Sequence, residues 1–305
     1  MQVAAGSFTG NGADNRGITG VGFQPDFVLI QSADSIEPCF RTSAMTGDQT
    51  FVHGSSSALP ANFIQSFDAD GFTVGSDTHV NANLVVSHWI AVKADAAADF
   101  AVGAYTGDGT DNRAITGLGF QPGVVFIAKE TSFGNIGWYS AAHAADAAQV
   151  LTGNSGTAAN LIQSLDADGF TVGSSLYNES AIPMWWFAFK EVSAFTKTGT
   201  YTGDGTDNRS ITGLGFQPCW VIEHANSGQS AHHKLVDMTT NSWRFGTTSL
   251  ADCIQALEAD GFQVGTHAEA NGNTTVYRYF AIKAGTTAAG ISVPVIMNQY
   301  RQRWN

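Results

Sequence analysis

A repeat constrains this chain more than any other feature. Three stretches align without a gap: GSFTGNGADNRGITGVGFQP from Gly6, GAYTGDGTDNRAITGLGFQP from Gly103 and GTYTGDGTDNRSITGLGFQP from Gly199. A second block recurs as NFIQSFDADGFTVG from Asn62, NLIQSLDADGFTVG from Asn160 and DCIQALEADGFQVG from Asp252. A third closes each copy: HWIAVKA from His88, WWFAFKE from Trp185 and RYFAIKA from Arg278. The blocks keep their order, so one supersecondary unit is built three times. The spacing predicts modules at residues 1–96, 97–192 and 193–285, with residues 286–305 left over as an extended C-terminal arm.

The blocks read as strands and turns. The residues after each Pro, from Asp26 to Ile30, Gly123 to Ile127 and Cys219 to Ile222, are mostly apolar, as in a strand buried on both faces. Phe63, Gln65 and Phe67 alternate with Ile64 and Ser66, which is strand periodicity. Asp-Ala-Asp-Gly then signals a hairpin turn into Phe72-Thr73-Val74. No stretch combines a 3.6-residue apolar period with helix caps. The expected fold is all-β: three tandem antiparallel β-sandwiches, with Phe23, Phe120, Phe216, Phe72, Phe170 and Phe262 in their cores. The segments between Pro and Ile-Gln differ among the copies in length and content, so any recognition is expected to vary there.

Hydrophobic residues are 43% of the chain, enough for a core in each third, whereas charged residues are only 13%, about half the usual share. The surface is therefore built from Thr, Ser, Asn, Gly and Ala. The net charge of -12 argues against nucleic acid, because phosphate binding needs a basic face. No apolar run approaches the roughly 18 residues that span a bilayer, so no membrane insertion is expected. The opening Met1-Gln2-Val3-Ala4-Ala5 carries neither a basic region nor an apolar stretch of secretory-signal length. Cys39, Cys219 and Cys253 have no CxxC spacing, and Cys253 stands where the other copies have Phe63 and Leu161. Each is read as a small buried hydrophobe.

Several motifs carry a chemical reading beside a structural one. Thr-Gly-Asp-Gly-Thr-Asp-Asn-Arg lacks the Gly-Lys-Ser/Thr of a phosphate loop. Asp14, Asp111 and Asp207, with Asn15, Asn112 and Asn208, could supply hard oxygens to calcium, or could simply bond their own backbone in a turn. The reading adopted is no cofactor, with calcium kept as the alternative. Arg16, Arg113 and Arg209 are expected to ion-pair within their modules, with Asp70, Asp168 and Asp260 as acceptors. His232-His233 is the one adjacent histidine pair, and on a strand the two rings point to opposite faces. Neither GxSxG nor HExxH is present. Trp138, Tyr139, Trp186 and Trp243 are candidates for stacking on sugar rings, against core packing as the other reading.

The long openings of the type TGDGTDNRSITGLGFQP, the SFDADGFTVG middle and the W-x-A-x-K-A close resemble a repeat family of lectin-like (concanavalin-like) β-sandwich modules in tailed-bacteriophage virion proteins. That resemblance covers about 285 of the 305 residues. It implies a non-enzymatic protein on the virion surface, as capsid decoration or as a tail or fibre component. It implies partners among other virion proteins and copies of itself, and assembly in the host cytoplasm. A glycan-binding adhesin that engages a host-surface glycan is the second expectation, and a polysaccharide depolymerase the third. In the arm, Ile291, Val293, Val295, Tyr300, Arg301, Arg303 and Trp304 are the expected assembly contacts, since an extended arm can add a strand to a partner's open edge.

Overall fold

The structure is a computed structural model. It describes residues 1–286 except 35, 55–58, 97, 131–134, 152–155, 227, 240–241 and 247–248. The arm residues Ile291, Val293, Val295, Tyr300, Arg301, Arg303 and Trp304 lie outside the described residues. The fold is all-β, and every paired strand is antiparallel. The helices described are two single turns, Thr78–Asn81 and Ala268–Asn271.

Each third of the chain contributes one small and one large sheet. The small sheets contain three strands each. In the first, Arg16–Thr19 pairs with Gly71–Val74, which pairs with Ile64–Asp68. The same order recurs as Arg113–Thr116, Gly169–Val172, Ile162–Asp166 and as Arg209–Thr212, Gly261–Val264, Ile254–Glu258. The Asp-Ala-Asp-Gly turn is the hairpin between the last two strands, with Asp68 opposite Gly71. In the large sheets an opening strand (Gln2–Thr9, Phe100–Thr106, Thr196–Thr202) pairs with the closing strand (Val86–Lys93, Pro183–Phe189, Val276–Ile282). That strand pairs with the one after Pro (Phe27–Ser32, Val124–Lys129, Trp220–Ala225). Strands from the variable segments complete each sheet on the far side.

One glycine is required in each copy. The closing strand lays Trp89, Trp186 or Tyr279 across Gly6, Gly103 or Gly199 of the opening strand. A Cβ at those glycines would stand 2.8, 2.4 and 2.5 Å from the aromatic side chain, closer than any side chain can sit. The repeated glycine and the repeated aromatic thus form one packing unit.

The strand after Pro is buried along its whole length in the first and third modules and up to the half-buried Lys129 in the second, and its alternate residues serve two different cores. Val28 and Ile30, Val125 and Ile127, and Val221 face the small sheet of their own module. Phe27 and Leu29, Val124 and Phe126, and Trp220 and Ile222 face a core common to all three modules. The closing strands divide in the same way, with Ile90, Phe187 and Phe280 turned to the common core. Phe23, Phe120, Phe216, Phe72, Phe170 and Phe262 are buried in the three sandwich cores. The three cysteines are free and buried, as small hydrophobes among these apolar residues.

The common core joins the modules in a closed ring. The Phe187 ring lies 4.5 Å from Phe27 and 4.7 Å from Phe126, and Phe189 lies 4.9 Å from Phe280. Gln149 Nε2 donates to the Ala225 carbonyl at 2.7 Å across the second and third modules. Gly285–Thr286 then pairs with Gln2–Val3, so the third module meets the first. Each pair of rings contributes about 0.5–1.5 kcal/mol beyond its burial. At neutral pH, Phe187→Ala is therefore expected to cost about 3–5 kcal/mol and to lower the temperature of a single calorimetric transition for the whole chain. Three separate endotherms, with only the second displaced, would contradict a shared core.

Candidate functional site

The repeated loop is the natural first candidate, because it carries most of the chain's repeated polar groups. Its fold is fixed by an asparagine outside the three aligned blocks. Asn81, Asn178 and Asn271 are fully buried. Asn81 Oδ1 accepts from Asn11 N and Arg16 Nη1, both at 3.0 Å, while its Nδ2 donates to the Ala13 carbonyl at 2.8 Å. Asn178 and Asn271 repeat those bonds to Arg113, Thr110 and Arg209, Thr206. Asn15, Asn112 and Asn208 sit at φ of 55°, 57° and 55°, a left-handed turn that Asn tolerates, and each bonds the Asp before it.

The arginines do not pair with Asp70, Asp168 and Asp260. Register explains the correction: Arg16 lies opposite Val74, whereas the hairpin turn lies at the other end of the strand, with Thr19 opposite Gly71. Arg16 instead donates to the Thr9 carbonyl at 2.6 Å and stacks 4.9 Å over the Phe8 ring. Arg113 and Arg209 add ion pairs of 3.4 and 3.3 Å to Asp108 and Asp204 of their own loops. Bonds from the Thr110 backbone and hydroxyl, helped by Asn178 and Arg113, hold the Asp108 carboxyl down to about 2. Asp70 accepts the amides of Gly20 and Gly22 at 3.0 and 2.6 Å, and Asp168 and Asp260 do the same in their modules.

The oxygens considered for calcium are engaged by donors. Oδ1 of Asp14, Asp111 and Asp207 accepts the side-chain amide of Gln65, Gln163 and Gln255 at 2.9, 3.1 and 2.8 Å. Among the described residues no group of three or more His, Cys, Asp or Glu side chains is arranged to hold a metal ion.

The four aromatic candidates for sugar stacking are buried. Trp138 stacks on Phe126 at 6.0 Å in the common core, which also contains Trp243. Trp186 lies edge-on to Phe170 at 5.6 Å in the sandwich core. Its neighbour Trp185 is half-buried against the common core and donates Nε1 to Glu130 at 2.9 Å. Both faces of the large sheet are covered, so neither ring of the pair is presented flat to solvent. Tyr139 also donates its hydroxyl inward, to the Ala144 carbonyl, but its ring borders a cleft.

That cleft has a counterpart. In the first module a cavity of about 480 Å³ is framed by Gln24-Pro25, Gln65-Ser66 and Lys93. In the second a cavity of about 590 Å³ is framed by Gln121-Pro122, Gln163-Ser164 and Lys190. These frame residues come from the repeated blocks. Gln24 and Gln121 tie the two sheets together by donating to the Phe67 and Leu165 carbonyls, as Gln217 does to Leu257. The residues at the back come from the variable segments: Arg41 opposite Val28, and Tyr139 opposite Val125. Arg41 is buried and donates to the carbonyls of Gly47 and Gln49, both at 2.5 Å. One frame thus surrounds a cation in one module and an aromatic ring in the next.

The third module departs from the others inside its sandwich. Glu223 stands where they have Ile30 and Ile127, and it is fully buried. Burial, with Glu269 nearby, raises its carboxyl well above the usual range, although the bond from Tyr201 opposes this. Tyr201 Oη lies 2.9 Å from Glu223 Oε2 and 2.6 Å from the Ala270 carbonyl. The Tyr201 hydroxyl thus has two acceptors in reach, the Glu223 carboxyl and the Ala270 carbonyl. His232 bonds Glu269 at 2.6 Å on this side, while His233 faces the first module, as strand geometry requires. An acid in the apolar run Trp220-Val221-Ile222-Glu223 is the sequence signal for this cluster.

A raised carboxyl gives stability that is present below its unfolded value and falls as pH rises. Glu223→Gln is therefore expected to raise Tm by a few degrees at pH 8 and to leave it nearly unchanged at pH 4. Equal Tm values at pH 8 would mean that the carboxyl is not held neutral.

In comparison with known proteins, the family model described as "Domain of unknown function (DUF7483)" matches residues 3–99 and 190–299. These stretches cover the first and third modules, the second stretch running on into the C-terminal arm, and the middle module carries the same three blocks. A search of curated proteins finds no match.

Proposed function

The chain belongs to the DUF7483 family, described as a domain of unknown function, and we propose that it is a non-enzymatic structural protein of a bacteriophage virion surface, displaying three lectin-like modules on one body. The observation that carries the non-enzymatic reading is the loop geometry. The repeated motif that most resembles a phosphate or metal loop engages its carboxylates with the glutamines of the second block and its arginines with the buried asparagines. The virion location, as capsid decoration or as a tail or fibre component, rests on the resemblance of the blocks to phage repeat modules. The low charge and the shared core suit a rigid unit packed among copies of itself and other virion proteins.

Mass spectrometry of purified particles is expected to find the chain at a stoichiometry set by particle symmetry, and cryo-EM to place it on the surface. Its absence from purified particles would contradict the proposal. Removing residues 287–305 is expected to leave the three modules folded and to abolish incorporation.

The paired clefts favour a second reading, in which the modules bind a host-surface glycan. Amide, hydroxyl and lysine groups beside proline are a usable frame for a polar ligand, and the differing back walls would give each module its own preference. A glycan array compared with the Lys93→Ala/Lys190→Ala variant tests it. Binding lost in the variant supports this reading, and no binding by the unmodified chain contradicts it.

A further inference from the structure

The three seams of the ring are chemically unequal. The first and second modules meet through phenylalanine rings, with Phe187 4.5 Å from Phe27 and 5.3 Å from Phe40. Both seams of the third module also carry ring contacts, Phe27 to Trp220 at 6.4 Å and Phe189 to Phe280 at 4.9 Å, but these two seams are lined by histidines as well. Toward the first module, His233 Nε2 lies 3.2 Å from Gln31 Oε1, and the rings of His233 and His53 lie 4.8 and 5.9 Å from Phe245. His88 Nδ1 lies 3.1 Å from Asp237 at the edge of the same seam. Toward the second module, His143 Nε2 lies 3.1 Å from Gln149 Oε1, and Gln149 reaches the Ala225 carbonyl. His224 stacks 6.5 Å from Trp138 and contacts the Gln229 carbonyl at 2.8 Å.

His53, His143, His224 and His233 are all buried, and their partners are amide oxygens, carbonyls, a serine and rings rather than carboxylates. Those partners suit a neutral imidazole. A second proton would put a positive charge on the ring, where the hydrogen-bond partners offer no anion. The charged and titratable groups facing the first seam are His53, His88, His233 and Asp237, with His232 and Lys234 flanking His233 on its strand. Asp237 lies beside His88 rather than within bonding reach of His233 or His53. Facing the second seam are His143, His224 and Arg278, with His232 behind His224. Arg278 is itself buried and bonded to the neutral oxygens of Asn226, Gln149 and Ala142. Each new proton there would sit beside a fixed positive charge.

We propose that the third module is an acid-released element: protonation of its seam histidines detaches it from both neighbours, while the first and second modules stay joined through their phenylalanines. The direction follows from the sign of the shifts. Burial pushes His53 and His224 down to about 4 and His143 and His233 down to about 3, below the ordinary 6.5. The open state therefore takes up protons first. Closure is fully stable above 6.5 and is lost as pH falls toward the folded values.

The test is a pH titration of the full chain from 7.5 to 3.5, following tryptophan emission, far-ultraviolet circular dichroism and small-angle scattering. The expected result is a reversible expansion with a red shift of emission while strand content is retained. Its midpoint should fall between about pH 4 and 6, with more than one proton taken up. The His143→Gln/His233→Gln variant should move that midpoint down by about 0.5–1 pH unit. A midpoint unchanged in the variant, or strand content lost together with the expansion, would overturn the proposal. If that variant fails to fold, nuclear magnetic resonance of the histidine rings in the unmodified chain decides. Four rings that stay neutral in the closed state down to the expansion support the proposal, and rings that titrate freely near 6.5 without opening overturn it.

Discussion

Burial of both faces of the large sheets is the constraint on which the rest of this structure depends. An antiparallel sandwich usually keeps one face of each sheet in water, which gives strands that alternate apolar and polar residues. Here Phe27, Phe126, Phe187, Trp220 and Phe280 turn inward to a second core, so the strands after Pro and at each close have almost no polar face. The modules therefore share their hydrophobic stabilisation. Each third would expose a broad aromatic surface if separated, and that surface is large enough to drive association with whatever lies nearby.

The repeated polar residues hold this frame together. The loop arginine, the buried asparagine and the hairpin aspartate each satisfy backbone groups that a glycine-rich turn would otherwise leave unpaired. With those positions fixed, sequence variation is directed to the strands between the first and second blocks. These supply the back wall of each cleft and the residues at the seams. The cation of Arg41, the ring of Tyr139 and the histidines of the third module all come from such variable segments or from positions where one copy departs from the other two.

Much of this was legible in the sequence. The alternation and turn residues implied an all-β chain, the apolar runs after Pro implied strands buried on both faces, and Asp-Ala-Asp-Gly implied a hairpin. What covers the outer faces was not legible, because a doubly buried strand has the same composition whether its second partner is a helix, a sheet or another module. The same blindness placed Trp138 and Trp243 among candidates for a sugar surface when they lie in the common core. The pairing of Arg16 with Asp70 failed because proximity in a sandwich depends on strand register, which spacing alone does not reveal. Asn81, Asn178 and Asn271 were missed because they fall outside the aligned blocks, in a segment one residue shorter in the second module. Glu223 could have been found, since an acid inside an apolar strand run is a signal in itself.

The central claim is that one core, and not three, holds the chain together. Hydrogen exchange at neutral pH tests it most directly, because the slowest amides of each module report the opening that exposes them. A shared core predicts that the slowest amides of Phe27–Ser32, Val124–Lys129 and Trp220–Ala225 exchange with one common free energy, and that Phe187→Ala lowers all three together. Three distinct opening energies, with only that of Val124–Lys129 lowered by the substitution, would contradict it.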